Sequence, residues 1–399
     1  MPFNNDLNTA PETAMHIVAD ENIPLLDAFV GELGRLTRLP GRLIDATSVV
    51  DADVLLVRSV TRVSAEMLAG TPVRFVGTCT IGTDHLDLPG LAAAGIQVAS
   101  APGCNAQGVV EYVLSCLLTL AERAGCAWQD QVVGIVGVGE VGGRLAATLQ
   151  ALGMQTVLCD PPRAEQGEQG LVALDELIQR SDVISCHVPL TTEGAHATRH
   201  LFNEARLATL QPGTWLINSS RGAVIDNAAL RRLLAQRRDL LVALDVWEHE
   251  PLVDPQLAEL CALATPHIAG YSLDGKLRGT EQIYRALCRF LQLPARLTLQ
   301  QLAPRSGVGE WQVEGGAPVD WALSRALRLV YDVRDDDARL RAMLRAAVSD
   351  QSSREGFDSL RRDYPLRREC SLLRVSSAAT EPQVARRLLA AGFASGSTQ

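Results

Sequence analysis

Three side chains in the middle of the chain have the types that acid–base chemistry on a carboxylate-bearing substrate requires: Arg221, Glu250 and His267. Histidine suits the exchange of a hydroxyl proton near neutral pH, because its unperturbed pKa is about 6.5. A neighbouring carboxylate orients the ring and stabilises the imidazolium that forms. Arginine grips a planar carboxylate through a two-pronged hydrogen bond. Each is ambiguous alone, since a histidine after proline is commonly structural and an arginine at a strand end is commonly a surface charge. Rivals for the base exist. His85 and His187 lie near strand ends, His196 is a candidate by type alone, and His249 sits beside Glu250 in a charged loop that solvent should reach.

The elements that deliver the three residues make them a set. Thr214–Ile217 runs as a strand into Asn218-Ser219-Ser220-Arg221-Gly222. Leu240–Leu244 runs into Asp245-Val246-Trp247 and then Glu250, and Leu263-Ala264 into Thr265-Pro266-His267-Ile268-Ala269-Gly270-Tyr271. Short apolar strands alternating with helices imply a parallel sheet covered on both faces, where ligands collect beyond the carboxyl ends of the strands. Three successive strands thus bring Arg221, Asp245 with Glu250, and His267 to one edge.

Upstream lies Val132-Val133-Gly134-Ile135-Val136-Gly137-Val138-Gly139-Glu140-Val141-Gly142, followed by Thr156-Val157-Leu158-Cys159-Asp160. In the spacing Gly137-x-Gly139-x-x-Gly142, one glycine makes a tight turn, one admits a pyrophosphate to the backbone and one lets helix and strand pack closely. The N–H groups at the helix start then face the phosphates. Glycines at this spacing also occur in ordinary strand–helix turns, but here the flanking strand, the helix over Gly142–Leu152 and the terminal acid all agree. Asp160 is placed to accept hydrogen bonds from an adenosine ribose, which favours NAD over NADP. Hydride transfer from a 2-hydroxy acid to a nicotinamide uses every part: a base for the hydroxyl proton, a cation for the carboxylate and a dinucleotide cradle.

The rest of the chain is arranged around this unit. Residues 1–14 read as a disordered tail, with Met15 as an alternative start. His16–Asp20, Ala52–Val57 and Val73–Gly77 read as strands, which puts Ser59, Thr80 and the segment Ile81-Gly82-Thr83-Asp84 at carboxyl ends. An apolar helix over Ala106–Arg123 is expected as a buried connector between two lobes, with Glu111 a hydrogen-bonded structural acid inside it. A helix over Thr280–Leu293 should return to the first lobe. Beyond it, 296–399 reads as an α+β module with a helix over Trp321–Val333, a strand over Ser371–Val375 and a closing helix over Pro382–Ala391. It shows no chemical constellation, which favours dimerisation. The expected division is 15–106 with 275–295 for substrate, 107–274 for the dinucleotide, and 296–399.

Composition limits the partners. A formal net charge of −9 argues against nucleic acid. No apolar run approaches the roughly 20 residues of a membrane span, and the opening segment lacks the basic start and apolar core of a signal peptide. The nine cysteines are scattered without a Cys-x-x-Cys pair, so no metal site is expected and reduced thiols in the cytoplasm are the simplest account.

These residues resemble the D-isomer-specific 2-hydroxyacid dehydrogenases, which share the glycine fingerprint, an Asn-x-x-Arg-Gly segment (Asn218 to Gly222), an Asp-Val followed by Glu-Pro (Asp245-Val246, Glu250-Pro251) and a Pro-His (Pro266-His267). Stretches such as Val57-Arg58-Ser59-Val60-Thr61, Gly82-Thr83-Asp84-His85 and Val330-Tyr331-Asp332-Val333-Arg334 are similar to one branch, acting on 4-phospho-D-erythronate, and extend the likeness into the C-terminal module. The resemblance implies a Rossmann-type NAD-binding domain inserted in a flavodoxin-like substrate (lid) domain, plus a C-terminal α+β domain that forms a homodimer. It implies Ser59, Thr80 and Tyr271 as substrate contacts. By the fingerprint and the resemblance together, the cofactor contacts are Gly137, Gly139, Glu140, Val141, Gly142, Asp160, Val188, Ser219, Ser220, Arg221, Asp245 and Gly270. Val188 stands where a relative carries threonine, so a contact there runs through the backbone. The residues alone reach only a phosphorylated or otherwise anionic 2-hydroxy acid, with Arg58, Lys276 and Arg278 as candidate phosphate partners or plain surface charges. Another substrate, such as 3-phosphoglycerate or glyoxylate, and a dinucleotide-sensing scaffold of the corepressor kind are the alternatives.

Overall fold

The computed structural model describes residues 15–304, 309–377 and 382–396; the tail expected over 1–14 lies outside them. The described chain forms two compact units, one running up to Cys104 and resuming over Lys276–Pro304, the other comprising Asn105–Gly275 and the C-terminal residues.

The first unit is built on a five-stranded parallel sheet: β1 (His16–Asp20), β2 (Arg35–Leu39), β3 (Val54–Val57), β4 (Phe75–Thr78) and β5 (Gln97–Ala99), in the order β2-β1-β3-β4-β5. The central strands β1, β3 and β4 are buried along their whole length, which is why they read as unbroken apolar runs. Phe29, Phe75, Ile283 and Leu287 fill one side of the sheet, and Leu55, Val57, Val76 and Leu91 the other. This strand order is the doubly wound, flavodoxin-like one, whose chain reverses between β1 and β3. Ser59 follows β3 and Thr80 follows β4, so both lie past the carboxyl ends of neighbouring strands.

The second unit holds β6 (Val133–Val136), β7 (Thr156–Cys159), β8 (Val183–Cys186), β9 (Trp215–Asn218), β10 (Leu241–Leu244) and β11 (Leu263–Ala264) in the parallel order β11-β10-β9-β8-β6-β7. A single parallel bridge between Leu158 and Leu171 marks the place outside β7 where a Rossmann sheet carries one more strand. The helix Ala106–Ala124 buries 15 of its 19 residues, too many for a surface helix, and ends at Gly125 with φ 67.

The C-terminal strands β12 (Glu310–Val313), β13 (Arg374–Ser377) and β14 (Ala394–Ser395) form a small parallel sheet. Leu323, Leu327, Val375, Leu388 and Phe393 share one core with Leu114, Leu117, Leu145 and Leu149 of the dinucleotide-binding part. The helix expected over 321–333 is Val319–Val330, and a new helix starts at Val333. Asp332 caps that helix by accepting from the Arg334 amide at 3.1 Å, and the Val333 amide donates to Ser115 Oγ at 3.0 Å. The strand expected from Ser371 begins at Arg374 because Cys370–Leu372 form a 3-10 turn. The helix expected from Thr280 starts seven residues earlier, at Leu273. Gly275 and Gly279, which look like helix breakers, are close-contact positions: a Cβ would lie 3.0 Å from Asn105 Cα at the first and 2.8 Å from the Cys79 carbonyl oxygen at the second.

Glu111 is buried and structural, accepting from the Cys370 amide at 2.8 Å and from Gln107 Nε2 at 3.2 Å. Burial pushes its carboxyl up to about 7, against the pull of Arg367. The folded protein therefore holds a proton there that the unfolded chain releases near pH 4.5, so stability falls as pH rises through this interval. Glu111→Gln keeps the acceptor and removes the titration. Urea unfolding across pH 4.5–7 should show the wild type losing up to about 3 kcal/mol relative to the variant; parallel curves would place the shift elsewhere.

Candidate active site

The carboxyl edge of the larger sheet is set by Asp245, which is 1% exposed. Its Oδ1 accepts from Thr265 Oγ1 at 2.7 Å and from the Ile268 amide at 2.9 Å, and its Oδ2 from the Ala269 amide at 2.9 Å. Its carbonyl accepts from the His267 amide at 2.7 Å. A buried carboxylate is tolerated only when so satisfied. These bonds hold His267 at φ 56, the left-handed region that residues other than glycine seldom adopt. Thr265 is fixed in turn, its hydroxyl 3.0 Å from Tyr112 Oη and its carbonyl accepting from Trp247 Nε1 at 3.0 Å.

The His267 side chain is one-third exposed, with Nδ1 2.6 Å from Glu250 Oε2. Glu250 Oε1 accepts from the Trp247 amide at 2.8 Å. Burial alone would raise the Glu250 carboxyl, but the His267 charge and hydrogen bond, with help from Arg361 and the Trp247 amide, hold it below the ordinary glutamate value. It is therefore an anion at neutral pH. His267 Nε2 has no protein partner among the described residues, which leaves it as the nitrogen able to meet a substrate proton.

Arg221 stands past β9. Asn218 Oδ1 accepts from both the amide and the hydroxyl of Ser220, at 3.1 and 2.8 Å, and Asn218 Nδ2 donates to the Arg221 carbonyl at 3.0 Å. Arg221 Nη1 donates to the Ser220 carbonyl at 2.8 Å. A Cβ on Gly222 would lie 2.0 Å from the Trp247 carbonyl carbon, so only glycine lets the loops after β9 and β10 touch. That contact sets the Arg221 segment against the loop that carries Glu250.

The dinucleotide signature has the geometry its spacing predicts. Gly137 has φ 88 and donates its amide to the Cys159 carbonyl at 2.8 Å. A Cβ on Gly142 would lie 1.9 Å from the Gly137 carbonyl oxygen, whereas one on Gly139 would meet nothing within 4 Å. Gly139 opens on a cavity lined by Val138, Glu140, Gly143, Arg144 and Arg163, so a pyrophosphate fits against the bare backbone. Asp160 Oδ2 accepts from the Val138 amide at 2.8 Å and Oδ1 from the Arg163 amide at 3.3 Å, which fixes the acid beside the glycine turn. Ser219 Oγ is buried without a hydrogen-bond partner among the described residues, a donor left for a ligand.

Residues 119–269 match the model of the D-isomer specific 2-hydroxyacid dehydrogenase NAD binding domain, and residues 302–392 match a domain of unknown function, DUF3410. The chain is 57% identical over 381 residues to the erythronate-4-phosphate dehydrogenase of Ectopseudomonas mendocina, covering 95% of this chain and 100% of that one. The chain belongs to this family of dehydrogenases. A relative of the same name from Azotobacter vinelandii is 55% identical over 378 residues, 95% of this chain and 99% of its own. Among solved structures, Aquifex aeolicus D-lactate dehydrogenase complexed with NAD and lactic acid superposes with TM-score 0.60 at 26% identity, over 69% of this chain and 95% of that one.

Within this family the rival histidines separate on structure. His187 is pushed down to about 4 by burial and pairs with Ser185 Oγ at 2.8 Å, while His249 is exposed. His85 Nε2 lies 3.0 Å from Thr78 Oγ1, and His196 Nε2 lies 3.0 Å from Glu165 Oε1. His200, unremarked in the sequence, pairs with Glu248 at 2.6 Å, and its other nitrogen faces Asp226 at 3.9 Å. Among the expected substrate contacts, Thr80 Oγ1 donates to the Gly82 carbonyl at 3.0 Å and Ser59 is exposed, both in the first unit. Val188 is half-buried after β8, and Gly270 sits where a Cβ would lie 2.3 Å from Asn105 Nδ2. Sequence reasoning missed the groups around Tyr271, which are Arg361 and Tyr364.

Replacing Asp160 by serine removes the negative charge that opposes a ribose phosphate. The ratio of NAD to NADP affinity, read by quenching of protein fluorescence, is expected to fall about tenfold or more; an unchanged ratio would remove Asp160 from the ribose site.

Proposed function

We propose that this chain oxidises 4-phospho-D-erythronate to 2-oxo-3-hydroxy-4-phosphobutanoate with NAD, a step of pyridoxal 5'-phosphate biosynthesis. The observation that carries this reading is the His267–Glu250 pair, 2.6 Å apart beyond β11, in a chain of which 95% matches an erythronate-4-phosphate dehydrogenase. When bound, NAD supplies the hydride acceptor. Gly137, Gly139 and Gly142 would cradle its pyrophosphate with Glu140 and Val141 at the helix start, Asp160 would take the ribose, and Val188, Ser219, Ser220, Asp245 and Gly270 would complete its site. His267 Nε2 takes the C2 hydroxyl proton as the C2–O bond becomes a carbonyl and the C2 hydrogen leaves with its electron pair. Glu250 stays ionised and stabilises the imidazolium. Arg221 binds the substrate carboxylate and the developing carbonyl oxygen. Ser59, Thr80 and Tyr271 hold the rest of the substrate. In the reverse direction His267 is the acid.

The domain reading assigns 15–106 with 275–295 to the lid, 107–274 to NAD and 296–399 to a homodimer contact. Trp321 and Leu329 support the last. They are 48% and 49% exposed on one helix, two turns apart, with Arg325 stacked 5.8 Å from the Trp321 ring between them. The cytoplasm fits nine cysteines, none of them paired.

The reaction is tested by reduced-nicotinamide fluorescence on mixing protein, NAD and 4-phospho-D-erythronate, with a 2-oxo acid acceptor in parallel. Wild type should give the signal, and His267→Asn should lower turnover about 10²–10⁴-fold while NAD affinity stays within about threefold. Activity with another 2-hydroxy acid alone would overturn the substrate, and collapse of NAD affinity in folded His267→Asn would overturn its role as base. For the assembly, Trp321→Arg with Leu329→Arg should sediment as a monomer, and an intact dimer would exclude this face.

A further inference from the structure

We propose that Arg361, contributed by the C-terminal region, is the cation that binds the phosphate of the substrate. The inference deepens the proposed reaction and rests on it for the identity of the phosphorylated acid. The helix Asp350–Arg362 and the segment after it close around the turn that follows His267. Arg367 Nη1 donates to the Ala269 carbonyl at 3.0 Å and its Nη2 to the Gly108 carbonyl at 2.6 Å. The Tyr364 ring meets the Tyr271 ring edge-on at 5.7 Å, and its hydroxyl donates to Asp336 Oδ2 at 2.7 Å. Arg361 lies over the Tyr271 ring, its guanidinium carbon 5.4 Å from the ring centroid, and 5.9 Å from that of Phe357. The residue expected to touch substrate is therefore held on two sides by C-terminal side chains.

The groups that bear on Arg361 are Tyr271, through a side-chain hydrogen bond, and the carboxylates of Glu250 and Asp245. The Arg361 Nε is buried without a hydrogen-bond partner among the described residues, which is costly for a charged donor. The carboxylates that bear on it are occupied. Glu250 accepts from His267 and the Trp247 amide, and Asp245 from Thr265, Ile268 and Ala269. The residue as a whole is half-buried. A four-carbon substrate carries two anionic ends. Arg221 serves the carboxylate beside the reacting carbon, and the phosphate needs a second fork of donors. Of the earlier candidates, Arg278 already donates Nε to the Cys104 carbonyl at 2.8 Å.

The test compares wild type, Arg361→Gln and Arg361→Lys on 4-phospho-D-erythronate and on D-erythronate. Arg361→Gln should lower the ratio of kcat/KM for the phosphorylated over the unphosphorylated acid about 10- to 100-fold, chiefly through KM. Arg361→Lys, which keeps the charge without the fork, should recover part of that ratio and also serves should the glutamine variant fail to fold. Equal losses on both substrates would mean that Arg361 only positions Tyr271 or Glu250, and an unchanged ratio would remove it from the phosphate; either overturns the proposal. Calorimetric titration of the NAD-loaded protein with inorganic phosphate separates this inference from the reaction itself. Binding at least about tenfold weaker in Arg361→Gln supports the anion site even if wild type turns over no 4-phospho-D-erythronate, and equal binding overturns the site even if it does.

Discussion

The buried carboxylate of Asp245 is the constraint on which the active edge depends. An anion removed from water must be met by donors, and the donors available here are the hydroxyl of Thr265 and the amides of Ile268 and Ala269. Meeting them forces the chain after β11 to curl around the end of β10. That curl holds His267 at φ 56, a conformation its own preferences would not select. The strain at His267 is thus stabilised by hydrogen bonds one layer deeper, and its ring meets Glu250 because both loops leave adjacent strands.

The two sheets were legible because their central strands are buried on both faces and so read as apolar runs ending in small polar residues. Val54–Val57, Val133–Val136 and Trp215–Asn218 all fall inside such runs. Gly137, Gly142, Asp160, Arg221, Glu250 and His267 were legible because each follows a strand end, and parallel sheets gather those ends. Boundaries failed where tertiary contact overrode local preference. Gly275 and Gly279 sit inside a helix because neighbouring backbone leaves no room for a Cβ, which no local pattern announces. The break at Tyr331-Asp332 was hidden because the cap that starts the next helix, Asp332, lies in a run of helix-compatible residues.

The C-terminal region was the least legible, for a physical reason. Its buried contacts are polar and mostly long-range: Arg367 reaches Gly108 and Ala269, Asp337 Oδ1 accepts from the Ala264 amide at 2.8 Å, and Tyr364 donates to Asp336. Asp335-Asp336-Asp337 looks like a solvated charge step on a helix, yet Asp336 and Asp337 are buried. Charged residues enter a core only when partners await them, and those partners lie 98 and 259 residues upstream for Arg367. Periodicity carries no trace of such pairs. The shared core makes residues 309–377 and 382–396 part of the wall behind the turn that follows His267 as well as a candidate contact surface.

Two histidine–carboxylate pairs at 2.6 Å show why distance alone does not identify a catalytic base. His200 presents one nitrogen to Glu248 and the other toward Asp226, so both ring nitrogens face carboxylates of the protein. His267 gives only Nδ1 to Glu250, and its Nε2 has no partner among the described residues. The carboxylates differ as well: Glu248 Oε2 also accepts from the Asn227 amide at 3.2 Å, tying its loop to the helix Asn227–Gln236, whereas Glu250 accepts from Trp247 within its own loop. One pair thus joins two elements of the fold. The other uses the same bond length to orient a ring at the carboxyl edge of β9, β10 and β11, where Arg221 can hold a carboxylate. The chemistry follows from which nitrogen is left over and where the sheet places it.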